Sequence, residues 1–263
     1  MKKTMIVLVL CGLATAAFAQ EQKQEKDWTT TVDLSYTSRY IWRGYDVLDN
    51  AGAFQPSVDF LHSSGLGATL WMSYAERGGS TGSIDSRADM AEYDYTVYYK
   101  GKAFAGDCFE TNYKIGWRYY DYIRRATKEL DKQEVFLEFE MPQLTGTPLI
   151  PHAGIYQIWP SKGDSQIDDC SGTIYLMGFS YLLPTEEMIP NLPLTFSWDI
   201  AFNDGTMYSD HDWSHMVWGL ETKLTCPFTG AKIVPAFYFQ NSFEDTVNKN
   251  DEYWGTISYS FAF

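Results

Sequence analysis

The densest grouping of reactive side chains is Asp210-His-Asp-Trp-Ser-His215, where a serine, two histidines and two carboxylates fall close together. Nucleophilic catalysis needs a serine within hydrogen-bond reach of a histidine that an acid orients. Successive side chains of an extended segment point to opposite faces, so Ser214 and His215 are not expected to meet one substrate together. The cysteines Cys108, Cys170 and Cys226 match no zinc-ligand spacing. No catalytic residue, metal site or cofactor is therefore assigned.

Other charged residues follow a different pattern, recurring at every second position. Lys114 and Arg118 alternate with Tyr113, Ile115, Trp117 and Tyr119. Glu134, Glu138 and Glu140 alternate with Val135, Leu137, Phe139 and Met141. Asp199 interrupts the apolar series Leu194, Phe196, Trp198, Ile200 and Phe202 from the other side. A period of two is that of a strand with one apolar and one polar face. The elements that position these charges are thus strands, expected near 31–43, 53–61, 66–74, 92–100, 109–121, 132–141, 149–159, 171–183, 192–202, 213–225, 231–241 and 252–263. Those near 53–61 and 149–159 are the weakest, because Pro56 and Pro151 each remove a ladder donor, as does Pro235 near 231–241.

The sequence ends in Ser258-Tyr-Ser-Phe-Ala-Phe263, an alternating strand closed by an aromatic residue. At the other end Lys2 and Lys3 precede an apolar run and Ala17-Phe-Ala19, which predicts a signal peptide over residues 1–19. Cleavage there would leave 263 − 19 = 244 residues and move the formal charge from −14 to −16. No apolar run reaches the roughly 18 residues of a transmembrane helix, whereas a barrel strand needs only about 9–11 alternating ones. Aromatics make up 17% of the chain while mean hydropathy stays at −0.29, the arithmetic of strands facing lipid on one side and water on the other. The expected fold is all-β: a transmembrane antiparallel up-and-down β-barrel over 31–263, after a periplasmic segment 20–30. Twelve strands fit the rhythm, with ten or fourteen as alternatives. Short turns alternate with longer loops, and an even count puts both termini on the periplasmic side.

On this map Cys108 and Cys226 sit at the periplasmic rim and Cys170 at the outer rim, too far apart for a disulfide. So acidic a chain is unsuited to nucleic acid, which requires clustered Lys and Arg. Asp164, Asp168, Asp169, Asp204, Asp210, Asp212, Glu244 and Asp245 fall in expected loops. They are solvated there, or bridge divalent cations to lipopolysaccharide.

The segment Ser35-Tyr-Thr-Ser-Arg-Tyr-Ile-Trp-Arg-Gly44, followed by Gln55-Pro-Ser-Val-Asp-Phe60, resembles the start of the TorF-like porins, with an aromatic-Arg-Gly corner and a Gln-containing second strand. The resemblance is firmest over residues 31–62 and implies a bacterial outer-membrane channel without catalytic residues. Its expected partners are outer-membrane lipid and lipopolysaccharide, the barrel-insertion machinery and small polar solutes.

Physics adds detail to that corner. Gly44 permits positive φ at the end of the strand. Tyr40 and Trp42 are expected in the outer aromatic girdle, with Arg39 and Arg43 towards the lumen and Arg39 opposite Asp59. The expected pore lining is Arg39, Arg43, Asp59, Lys114, Arg118, Glu134, Glu138 and Asp199. Asp33, Asp94, Lys100, Glu110, Glu140, Glu221 and Lys223 share their side. Pairing across the loop near residue 126 would set Arg118 beside Glu134 and Lys114 beside Glu138. Trp71, Tyr98 and Tyr120 are lumen aromatics that either guide a solute or pack the interior. The acid excess weakly favours cations or neutral polar solutes. Passive diffusion of small polar solutes or ions is the expected function. A barrel enzyme hydrolysing lipid or peptide, and a closed structural or adhesion barrel, are the alternatives.

Overall fold

The computed structural model describes residues 27–76, 91–123, 130–162, 170–185, 189 and 192–263. The expected signal peptide and the acids Asp164, Asp168 and Asp169 lie outside the described residues.

Twelve long strands form the wall: β1 Trp28–Thr37, β2 Ala53–His62, β3 Leu66–Ala75, β4 Ala91–Ala103, β5 Thr111–Tyr122 and β6 Lys132–Glu140, then β7 Leu149–Pro160, β8 Gly172–Leu183, β9 Leu194–Asp204, β10 His211–Thr222, β11 Lys232–Ser242 and β12 Glu252–Ala262. Each pairs antiparallel with its neighbour in sequence, and β1 pairs with both β2 and β12. The sheet is thereby a closed barrel, leaving no unpaired edge. The end where β1 begins and β12 stops is called here the terminal end, and the opposite one the loop end. Among the described residues, no helix is long and apolar enough to cross a membrane, a fact that says nothing of a barrel.

Alternation decides which face each side chain takes. Trp117, Val135, Ile155, Tyr175, Met177, Trp218, Leu220 and Phe237 stand exposed outside. Phe179, Phe196, Trp198 and Trp218 form a chain of ring contacts across β8, β9 and β10, with centroids 5.8–6.2 Å apart. The indole N–H of Trp198 lies 3.4 Å from Met216 Sδ, so the sheet supplies the partner that lipid could not. Inside lie the buried Tyr98, Tyr120, Phe136, Ile158 and Ile174. An apolar outer face around a polar, aromatic interior is the pattern of a membrane barrel.

The strands expected to be weakest both form. Pro56 lies opposite Leu34, and neither Gln55 nor Pro56 has a partner on β3, the side where the missing N–H would have paired. Length alternation is only partly as expected: the terminal-end link 184–193 is longer than the loop-end link 205–210. Cys108 is exposed and Cys226 half-buried at the terminal end, with Cys170 buried at the other, and no disulfide joins them.

The main departure is at the first strand. It stops at Thr37 instead of 43, and the chain turns into the barrel. Ile41–Trp42 pairs with Tyr45–Asp46 around Arg43 and Gly44, whose φ values are 48° and 94°. Positive φ at both central residues makes a tight two-residue hairpin, which glycine permits at its second position. Asp46 then accepts backbone N–H bonds from Leu48 at 3.3 Å and Asn50 at 2.8 Å.

A hairpin across the lumen as the candidate functional site

Segment 38–52 is held from nearly every side of the wall. Arg39 ion-pairs with Glu252 on β12. The Tyr40 hydroxyl donates to Glu92 on β4 at 3.1 Å. Tyr45 donates to the Thr206 carbonyl at 2.8 Å and accepts from Asn203 at 2.9 Å. The Gly44 carbonyl accepts from Gln240 on β11 at 2.8 Å and from Asn248 at 3.3 Å. A Cβ at Gly44 would stand 2.5 Å from the His215 ring, so this corner requires glycine for space as well as for φ. Burial pushes the Tyr45 phenol up to about 12. It raises Tyr40 as well, with Glu92 adding to the effect.

These contacts overturn three expectations. Tyr40 and Trp42 are inside, not in an outer girdle: Tyr40 packs with Leu48, Ala51 and Ala53, and Trp42 stands edge-on to Tyr120. Arg39 does not meet Asp59, which lies opposite Thr31 in the register and accepts from Thr69 at 2.6 Å and Tyr98 at 2.9 Å. The strand ends before Arg39, and alternation ceases to apply where the ladder ends. Ser214 and His215 also break alternation. A register shift beside Ala201 and Phe202 lets both side chains turn inward, 1% and 4% exposed and 2.9 Å apart. Ser214 further donates to the Ala201 carbonyl at 3.2 Å, and among the described residues neither is bonded to a carboxylate.

At the loop end, Glu134 is the hub. Its Oε2 lies 2.7 Å from Arg43 and accepts from Tyr120 at 2.8 Å, while Arg118 Nη1 is 3.5 Å from the other oxygen. The Arg43 guanidinium also stacks on Tyr156, 3.4 Å from the ring centre. Lys132 sits over Trp42 at 4.2 Å, in the field of Glu92 and Asp94. Buried charges persist only when paired in this way. Arg43, Arg118 and Glu134, three of the eight expected lining residues, are thus one cluster, formed across the expected Arg118–Glu134 register.

Towards the terminal end the lumen opens into a cavity of about 790 Å³ lined by Lys100, Lys102, Lys114, Glu138, Glu140, His152 and Tyr156 among others. Lys114 and Glu138 are register partners as expected, but the ammonium rests over Tyr98 at 4.5 Å. Glu138 accepts from Tyr156 at 3.2 Å. Asp199 is bonded to His152 at 2.6 Å across β8, where a Cβ on Gly178 would clash with both. A smaller space of about 260 Å³, lined by Trp42, Arg43, Arg118, Glu138, Tyr156 and His215 among others, lies under the hairpin. Trp71 and Tyr120 serve as packing for the hairpin, through Tyr40 and Trp42. Asp204 and Asp212, expected in loops, lie instead on β9 and β10, because the pairing of those strands runs out to Asp204 and His211, which are themselves bonded.

Glu92, Lys132, Tyr156 and Glu252 belong to the site but were not singled out from sequence. For three of them the signal was parity: Glu92 keeps step with Asp94, Lys132 with Glu134 and Tyr156 with His152.

The sequence matches no protein-family model and no curated protein. Solved structures are similar in shape. A KdgM porin in complex with disordered oligogalacturonate superposes with a TM-score of 0.54 at 10% identity, covering 88% of this chain and 99% of that one. A second KdgM porin structure gives 0.54 at 9% identity. A NanC porin gives 0.51 at 10%, over 88% of this chain and 98% of that one. At such identities the likeness is one of fold, and the fold is the closed twelve-stranded antiparallel barrel of these porins.

Proposed function

We propose that this chain is a porin-like channel of the bacterial outer membrane that passes small polar solutes by diffusion, narrowed by the hairpin at Arg43 and Gly44. The observation that carries this reading is a cavity of about 790 Å³ with charged walls inside a barrel whose outer face is apolar. A lumen built only for packing has no use for Lys100, Lys114 and Glu138 facing open space. Arg39, Arg43, Asp59, Lys114, Arg118, Glu134, Glu138 and Asp199 are proposed to line the route. Arg43, Arg118 and Glu134 form its narrowest part. Passage is passive, with selectivity set by width and local field and with no cofactor or catalytic residue.

The shared architecture of the KdgM and NanC porins supports the reading by analogy of fold. The aromatic-Arg-Gly corner supports membership of the TorF-like porins, here as an inward hairpin. Export by the signal peptide, insertion by the barrel-assembly machinery and contact with lipopolysaccharide belong to the same proposal. A second reading, a closed barrel, is favoured by one fact: the hairpin touches wall residues from Glu92 round to Glu252.

Single-channel recording of the refolded protein in a planar bilayer separates the two. Discrete ion-conducting steps support the channel, and the reversal potential in a KCl gradient gives its ionic preference. A folded, heat-modifiable barrel that stays silent refutes the channel.

A further inference from the structure

Lys100 on β4 and Lys114 on β5 are cross-strand partners. Their ammonium groups lean over the same ring, Tyr98, at 5.0 and 4.5 Å. Like charges set opposite one another on a sheet repel. Among the described residues neither lysine has a carboxylate within ion-pair distance. Lys102 differs, being bound to Glu110 at 2.7 Å.

The next strand, β6, carries the opposite sign. Glu138 and Glu140 face the same cavity, and each is held by a neutral donor: Tyr156 at 3.2 Å and Asn112 at 2.9 Å. Neutral donors leave the carboxylate charge in place. Lys114 and Glu138 are register partners, so the strands that carry the two charge groups run side by side, their backbones about 4.8 Å apart. The cavity therefore has a basic strip beside an acidic strip.

We propose that this strip pair binds small zwitterionic solutes, the class of free amino acids and short peptides. The solute's carboxylate sits between Lys100 and Lys114, and its ammonium group at Glu138 and Glu140. A simple anion would meet the repulsion of the two glutamates, and a simple cation that of the two lysines. Only a solute carrying both charges a few ångströms apart satisfies both strips. A cavity of about 790 Å³ falls within the roughly 300–1,000 Å³ of small-molecule sites. The inference rests on the channel reading for its use in transport, though binding itself does not require conduction.

The test is titration calorimetry on the refolded full chain in detergent at low salt, with dialanine, acetate and ethylammonium as probes. Dialanine is expected to bind saturably and at least about tenfold more tightly than either singly charged probe. A Lys100→Met/Lys114→Met double variant is expected to lose dialanine binding by about tenfold or more. Glu138→Gln/Glu140→Gln is expected to bind acetate as well as dialanine. Lys249→Ala, exposed in the loop-end link 243–251 and away from the cavity, is expected to change nothing, and heat-modifiable migration checks that each variant folds. Acetate or ethylammonium binding as tightly as dialanine overturns the proposal, as does a folded wild-type chain that binds none of them. Parallel conductance separates the two readings: binding without current refutes the channel alone, and current without dialanine binding refutes this site alone.

Discussion

Glu134 and Glu138 stand on one strand, β6, and point to the same interior, yet their surroundings are opposite. Glu134 is fully buried among Arg43, Arg118 and Tyr120. Glu138 faces an open cavity and is held by one phenol at 3.2 Å. The strand spacing is the same in both places. What differs is the hairpin 38–52, which fills the loop end with aromatic rings and guanidinium groups and leaves the terminal end open. Charge in the first half holds the structure together; charge in the second is available to a solute.

The comparison can be broken most directly at its two glutamates. Glu134→Ala would leave the largely buried Arg43 and Arg118 without their ion-pair partner, and a loss of about 3–5 kcal/mol is expected. Glu138→Ala should change stability by no more than about 0.5 kcal/mol. Urea titration followed by heat-modifiable migration measures both, and equal losses would erase the distinction between the halves.

The outer wall common to both halves supplies the next effect. Trp198→Arg places a charge against lipid and should cost about 2–4 kcal/mol, whereas Ser197→Arg, on the inner face, should fold normally and alter conductance. Comparable damage at both positions would mean that the alternation is misplaced.

Trp42→Ala sharpens the contrast from the closed side. Trp42 is half-buried, so the cost is expected at about 3 kcal/mol, the low end for losing a large ring. The same variant should raise single-channel conductance if the hairpin is the constriction. Unchanged conductance with a stable fold would place the narrowing elsewhere.

The smallest effect is at the exposed terminal-end turn. There Lys102, and then the Gly106 amide, hold the Glu110 carboxyl below its ordinary range. A depressed carboxyl favours the folded state above its unfolded pKa, and this contribution fades as pH falls through the folded value. Lys102→Ala should let Glu110 titrate nearer its ordinary range by carbon-13 NMR, with no measurable change in stability.

Much of this was legible in the sequence because a strand's two faces are written at every second residue. Asp199 opposite Trp198 and Ile200, and Lys114 between Tyr113 and Ile115, needed no partner to declare which way they point. Even β2 and β7, with Pro56 and Pro151, kept their pattern. The exceptions sit where the ladder stops or slips. Tyr40 and Trp42 carry the same alternating signal as an interfacial girdle, and only the end of pairing at Thr37 turns them inward. Ser214 and His215 share the interior because of a register shift, which no local pattern announces.

The sequence by itself determined the wall: its strands, their faces and their order, since period-two alternation is a local property and antiparallel neighbours follow from short links. The tertiary structure alone decided the inside. Whether Glu134 becomes a buried hub or Glu138 an open carboxylate depends on where residues 38–52 go. That path is set by partners as distant in the chain as Gln240 and Glu252, brought beside the first strand when the barrel closes and β1 pairs with β12.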